Sequence, residues 1–240
     1  MQLNIYNDYE TLSHHAADAI INLVKINPSA VLCLATGDSP RLAYKLMVKK
    51  VNEEQIDFSH CSFVALDEWV GVPPGNEGSC HYFLEANIFN PLKIAASNIY
   101  LFDALSNDLD DECRKMDNLV QDKGGIDLML VGVGMNGHIG FNEPGESIDK
   151  YAHIVNLDAT TQTVGQKYFK EPIELKQGIT LGLKQFLESK KVIMMASGNK
   201  KAAIIKQALQ SDISTAIPAA IIRMHLNGEV MIDSEAASLL

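Results

Sequence analysis

The segment that decides the fold reads IDLMLVGVGMNGHIGFNEPG, residues 126–145. Its first six residues are an apolar run without alternation, the pattern of a strand covered on both faces. The glycines at 132, 134 and 137 then match a dinucleotide-binding fingerprint letter for letter. That reading requires a helix to start inside the glycine pattern and run back to a second strand. HIVNL followed by Asp158 mimics that second strand and its acidic residue, but Pro144 and Gly145 leave no room for the helix. A proline in a helix interior costs about 3 kcal/mol and pushes the preceding residue towards extended geometry. The segment therefore predicts a strand followed by an extended, curving loop.

An extended loop has its own chemical logic. Residues two apart project to the same side, so Asn136 and His138 face together. Glu143, held extended by Pro144, returns towards them as the loop curves. A histidine flanked by a carboxylate and an amide is a general acid/base whose tautomer a neighbour holds. The alternative is a structural turn around a buried, hydrogen-bonded histidine.

Outward from this segment the same unit recurs: a short apolar run, a small-residue loop, a helical pattern. AVLCLA (30–35) leads through TGDSP into RLAYKLMVKKV, and CSFVAL (61–66) leads into DEWVGVPPGNEGS and the helical CHYFLEANIF. KVIMMA (191–196) leads through SGNKK into AAIIKQAL. The first helix is expected to start at Asn7 with Glu10 as a capping box, burying Leu12, Ala16, Ile20 and Leu23. Such units predict an α/β fold: a Rossmann-like, doubly wound, mainly parallel sheet with helices on both faces, in a single domain over residues 1–240. In such sheets ligands bind beyond the carboxyl ends of the strands, where all four loops fall.

Bulk composition narrows the partners. The 240 residues carry a net charge of −10, which disfavours nucleic acid or an anionic membrane as partner. No apolar run reaches the length of a membrane span, and the amino terminus lacks the basic and apolar regions of a secretory signal, so a cytoplasmic protein is expected. The four cysteines form no CxxC pair, so no metal site is expected.

Three loops supply partners for the opening segment. In LATGDSP, Ser39 suits an N-cap and Pro40 a first helical position, so Thr36, Gly37, Asp38 and Ser39 read as an anion-binding helix start or as a tightly capped turn. Asp38 opposes an anion there unless its side chain turns outward. A helix terminus gives an anion about 0.3–2 kcal/mol, whereas millimolar binding needs about 4 kcal/mol, so a cation must help. SGNKK supplies Lys200 and Lys201, with Lys167 more distant. In VALDEWV, Asp67 reads as a base for a carbon acid or as a loop cap.

Together LATGDSP, LDEWVGVP, GVGMNGHIGFNEPG and SGNKKA resemble the hexosamine-6-phosphate isomerase/deaminase family over nearly the whole chain. FVALDEWV, FNEPGES, GITLGLKQFL and STAIPAA look most like its galactosamine-6-phosphate isomerase subgroup, whereas glucosamine-6-phosphate deaminases tend to carry Tyr where Trp69 stands. The resemblance implies cofactor-free chemistry on a phosphosugar by a monomer or small homo-oligomer. His138 would open the ring with Glu143 and Asn136, and Asp67 would move a proton between C2 and C1. Thr36–Ser39 and Lys201 would hold the phosphate, and residues 150–174 would form a mobile lid.

The chain departs from the family pattern at several positions. Asn136 stands where some members have Asp, Lys167 where glucosamine-type enzymes place Arg, and Asp38 where a small neutral residue is usual. Glu146, His153 and Val155 lie near the regulatory Ser, Arg and Lys of hexameric deaminases, so no activation by an N-acetylated sugar phosphate is expected. The related 6-phosphogluconolactonases share the layout, but their loop continues Ser-Leu-Phe-Pro where this chain has Phe141-Asn142-Glu143-Pro144. A non-catalytic sugar-phosphate sensor is the other rival, and it would need neither Asp67 nor His138.

Overall fold

A computed structural model describes residues 1–240. The first third contains β1 (Gln2–Tyr6), α1 (Tyr9–Ile26), β2 (Val31–Leu34), α2 (Asp38–Glu54), β3 (Ser62–Val64) and β4 (Asp67–Trp69). Then follow α3 (Cys80–Leu84), α4 (Asn90–Leu92), β5 (Ile99–Tyr100), α5 (Leu109–Asp122) and β6 (Leu128–Val131). The last part holds β7 (His153–Asn156), α6 (Ala159–Gly165), β8 (Gln177–Thr180), α7 (Leu183–Glu188), β9 (Val192–Ala196), α8 (Ala202–Gln210) and β10 (Gly228–Asp233).

Because side chains alternate across a strand, an unbroken apolar run must bury residues on both faces. The central strands do this. Val31, Cys33, Met129, Val131, Val192 and Met194 enter one core cluster, while Leu32, Leu34, Leu128, Leu130, Ile193 and Met195 enter the other. Helices α1 and α2 cover the second cluster, and residues of α5, α7 and α8 cover the first. Seven strands pair in the order β1-β10-β9-β6-β2-β3-β5, all parallel. From β2 the chain moves to β3 on one side, while β6 leads to β9 and β10 on the other. The boundary between β2 and β6 is thus a topological switch point, where a crevice opens at the carboxyl edge.

Four details differ from the sequence patterns. Asp67–Trp69 does not end β3 but forms β4, part of a second, antiparallel sheet ordered β4-β8-β7. The HIVNL stretch is a strand of that sheet, β7, rather than a neighbour of β6. Helix α1 is capped by Asp8, not Asn7, since the Asp8 carboxylate accepts from the Thr11 N–H at 2.7 Å. Helix α2 begins at Asp38 rather than after Ser39, because Gly37 at φ 101° turns the chain into the helix sooner. Pro40 is still accommodated, since the first-turn N–H groups have no intrahelical partner.

Candidate active site

The loop after β6 contains no helix and reverses on itself through an Ile139–Asn142 bridge. Asn142, 1% exposed, pins that reversal by donating to the carbonyls of Ile139 and Leu181 at 3.0 and 2.8 Å. Glu143 is thereby returned to His138, its Oε2 lying 3.6 Å from Nδ1. A Cβ on Gly134 would sit 2.4 Å from the imidazole, so the ring packs directly on the glycine backbone. The Gly-rich pattern serves this close approach rather than a nucleotide.

Asn136 makes no direct bond to the imidazole but meets it through Glu143. Its Nδ2 donates to Glu143 Oε2 at 2.8 Å, and its Oδ1 accepts from the His138 backbone N–H at 3.2 Å. Positions 134–137 turn, with Gly137 N–H bonded to the Gly134 carbonyl. Burial pushes the Glu143 carboxyl up, but His138, Thr161 and Asn136 together hold it below its usual value. The ring's nearest side-chain partner is one the sequence did not signal: Thr161 Oγ1 in α6, 3.0 Å from His138 Nδ1.

Asp67 lies at the start of β4, with Thr180 of β8 as its register partner. Burial pushes its carboxyl up to about 7, against a Cys80 thiol hydrogen bond that pulls it down and with Glu68 pushing the same way as burial. A displacement of that size corresponds to about 4 kcal/mol of discrimination against the charged form. Cys80 Sγ donates to Asp67 Oδ1 at 3.4 Å and accepts from Thr36 Oγ1 at 3.2 Å. Glu68 clamps Cys80 in place, accepting from the N–H groups of Trp69, Cys80 and His81 at 2.9, 3.0 and 2.8 Å. Neither Cys80 nor Glu68 was singled out by the sequence pattern, since their roles depend on α3 folding back onto β4.

The remaining predicted residues meet at the switch point. Ser39 packs beside Gly132, which joins the loop after β2 to the loop after β6. No side chain caps α2, so its first turn is open at this edge. The Thr36 hydroxyl turns inward to Cys80, leaving the loop backbone to face the crevice. Lys201, after β9, reaches across and donates to the Val133 carbonyl. Burial, with Lys167 adding repulsion, brings the Lys201 ammonium down to about 8.

Asp38 turns outward, as an anion site requires, and pairs with Lys167 at 2.8 Å and Arg41 at 3.6 Å. Lys167 therefore comes to the same loop as Lys201, and Tyr168 beside it packs its hydroxyl over Gly37. A Cβ on Gly37 would lie 3.1 Å from that hydroxyl oxygen. Residues 150–174 thus lie against both halves of the site. Their inner face joins a third small core around Trp69, Phe141 and Leu175, where Trp69 and Phe141 rings sit 4.4 Å apart. Glu146, just before this segment, pairs with Lys150 at 2.6 Å and faces His153 at 3.4 Å. No group of three or more His, Cys, Asp or Glu side chains is arranged to hold a metal ion.

The arrangement combines a buried carboxylate, a histidine–glutamate pair and a cationic crevice at an open helix start. Comparison with known proteins identifies the family. The family model for glucosamine-6-phosphate isomerases/6-phosphogluconolactonase matches residues 7–232. A glucosamine-6-phosphate deaminase of Thermoanaerobacter sp. (strain X514) is 38% identical over 241 aligned positions, covering 100% of this chain and 95% of the relative. That of Lachnoclostridium phytofermentans is 40% identical over 218 positions, covering 90% and 92%. The solved structure of a monomeric glucosamine-6-phosphate deaminase superposes with a TM-score of 0.97 at 34% identity, covering 100% of both chains. A 6-phosphogluconolactonase from Thermotoga maritima shares the fold alone, at 18% identity and a TM-score of 0.77. The chain is an enzyme of the glucosamine-6-phosphate isomerase/6-phosphogluconolactonase family, on its hexosamine-6-phosphate isomerase/deaminase branch.

Proposed function

We propose that this enzyme converts glucosamine 6-phosphate and water to fructose 6-phosphate and ammonia. The observation that carries the reading is a buried Asp67, raised to about 7, whose Oδ2 lies beside Gly140 of the loop that carries the His138–Glu143 pair. A lactonase needs no base for a carbon acid, whereas an aldose–ketose isomerisation does. Full-length similarity to glucosamine-6-phosphate deaminases supports the gluco substrate over the galacto one suggested by the motifs. Trp69 and its flanking residues keep galactosamine 6-phosphate, giving tagatose 6-phosphate, as the second reading.

In this reading the His138 imidazole takes the proton of the anomeric hydroxyl and returns one to the ring oxygen, opening the sugar. Glu143 stabilises the imidazolium formed in between. Asp67 then removes the C2 proton, leaving an enolamine, and delivers a proton to C1. The resulting C2 imine adds water and expels ammonia. No cofactor takes part. The open start of α2 and Lys201 hold the phosphate, and Lys167 joins them by exchanging partners. Its pair with Asp38 is half exposed, a kind of contact worth about 0–1 kcal/mol, so a phosphate dianion displaces it at little cost.

Residues 150–174 act as the lid, opening to admit substrate and closing by the Thr161 and Tyr168 contacts described above. The likeness to a monomeric deaminase supports a monomer, and a phosphosugar substrate suits a cytoplasmic enzyme. No helix is long and apolar enough to cross a membrane. The test is ammonia and ketose-phosphate release from glucosamine 6-phosphate and galactosamine 6-phosphate side by side, with 6-phosphogluconolactone hydrolysis measured in parallel. Preference for the gluco substrate supports the reading, preference for the galacto substrate selects the second one, and lactone hydrolysis without ammonia release rejects both.

A further inference from the structure

His138 and Glu143 are separated by 3.6 Å between Nδ1 and Oε2, which suits an ion pair but is too long for a hydrogen bond. Thr161 Oγ1 stands at 3.0 Å from the same nitrogen. The threonine is 4% exposed, so no bulk water competes for this contact. The threonine is also among the groups that hold the Glu143 carboxyl below its usual value. A hydroxyl has one proton to give. If it donated that proton to Nδ1, the imidazole lone pair and a carboxylate oxygen would face each other with no hydrogen between them. The consistent arrangement runs one way: Nδ1–H donates to Thr161 Oγ1, which leaves the Thr161 O–H free for the carboxylate side of the site.

We propose that Thr161 is the positioning residue of His138, bridging it to Glu143 so that Nε2 keeps its lone pair towards the sugar. The bridge has a second consequence. Thr161 belongs to α6, whose start is tied to the same glutamate, since the Asp158 N–H donates to Glu143 Oε1 at 3.1 Å. The segment that covers the site therefore carries part of the acid/base apparatus. With α6 displaced, Nδ1 loses its nearest partner and either tautomer becomes accessible, which confines proton transfer to the closed site.

This inference rests on the ring-opening role proposed for His138, so its test separates the two. The ¹⁵N shifts of the His138 ring, assigned by their loss in His138→Gln, report the tautomer without substrate. The wild type is expected to show protonated Nδ1 with Nε2 bare, and Thr161→Val a mixture. In ammonia release, Thr161→Val is expected to lose about 10–100-fold in kcat with KM within about threefold, as for other residues that orient a catalytic ligand. Thr161→Ser restores the hydroxyl and is expected to recover both the tautomer and the rate, whereas Thr161→Ala does not. Should Thr161→Val fail to fold, the Ser and Ala variants decide alone. Protonated Nε2 in the wild type, or a Val or Ala variant with unchanged tautomer and kcat, overturns the proposal. If the wild type releases no ammonia, the functional reading fails while the ring shifts still test Thr161.

Discussion

The Cys80 thiol donates to Asp67 Oδ1 at 3.4 Å, and it is the hydrogen bond that draws this buried carboxyl down. Thirteen positions separate the two residues, and the turn between them is closed by Glu68, which accepts three N–H groups across the join. The base thus sits in a site dry enough to raise it towards neutrality, with one weak donor preventing it from rising further. A carboxyl raised to about 7 is ionised in a sizeable fraction at physiological pH, and that ionised form is the proton acceptor.

Replacing Asp67 by Asn should lower kcat by about 10²–10⁴, the usual worth of general-base work, with KM within about threefold. Steady-state ammonia release measures both, and a variant that keeps wild-type turnover removes Asp67 from the mechanism.

The pH profile of kcat/KM should rise through about 7 as Asp67 loses its proton and fall above about 8 as Lys201 loses its own. The signs follow from the roles: the base works deprotonated, and the phosphate ligand works protonated. Cys80→Ala removes the donor that pulls Asp67 down, so the rising limb should move to higher pH while the falling limb stays. A rising limb that does not respond to the Cys80 change would assign it to another group.

Lys201 depends on a buried carboxylate on the last strand. Asp233, 3% exposed, accepts from the Ser197 hydroxyl, from the Gly198 N–H at 3.1 Å and from the Ala236 N–H at 2.8 Å. It sets the turn from which Lys201 reaches the crevice. Lys201→Ala should raise KM about 10–100-fold, in keeping with a charge-assisted contact of about 1.5–3 kcal/mol, and leave kcat largely unchanged. Asp233→Asn should shift KM in the same direction by less, because the lysine remains but its loop is loosened.

The single tryptophan gives a direct view of residues 150–174. A Cβ on Gly165 would come within 2.7 Å of Trp69 Cη2. Gly165→Ala should therefore push α6 off Trp69 at an overpacking cost of about 1–3 kcal/mol, seen as a change in Trp69 emission and a lower kcat. Unchanged emission and rate would show that the segment does not bear on Trp69.

N-acetylglucosamine 6-phosphate should not activate the enzyme. Glu146 closes on Lys150 and His153 within its own segment, and a carboxylate there repels a phosphate. Substrate-saturation curves with and without the N-acetylated sugar test this, and a leftward shift would reveal a second site.

The sequence by itself determined the sheet and one edge of it. Runs such as VLCL and LMLV have no polar side, so they can exist only with helices on both faces, and parallel strands then place every following loop at the same end. Pro144 excluded a nucleotide fold for a reason local to the backbone. Asp67, His138 and Glu143 were legible as candidates because each lies in the stretch that follows a parallel strand. Tertiary structure alone decided the rest. Asn136 bonds Glu143 and the His138 backbone rather than the imidazole, and Asp67 lies in a second sheet because β8 returns to pair with it. Thr161, Cys80 and Asp233 stand 23, 13 and 35 positions from the groups they hold. Such contacts carry no sequence period, since they are made between elements whose approach is set by the packing of the whole core.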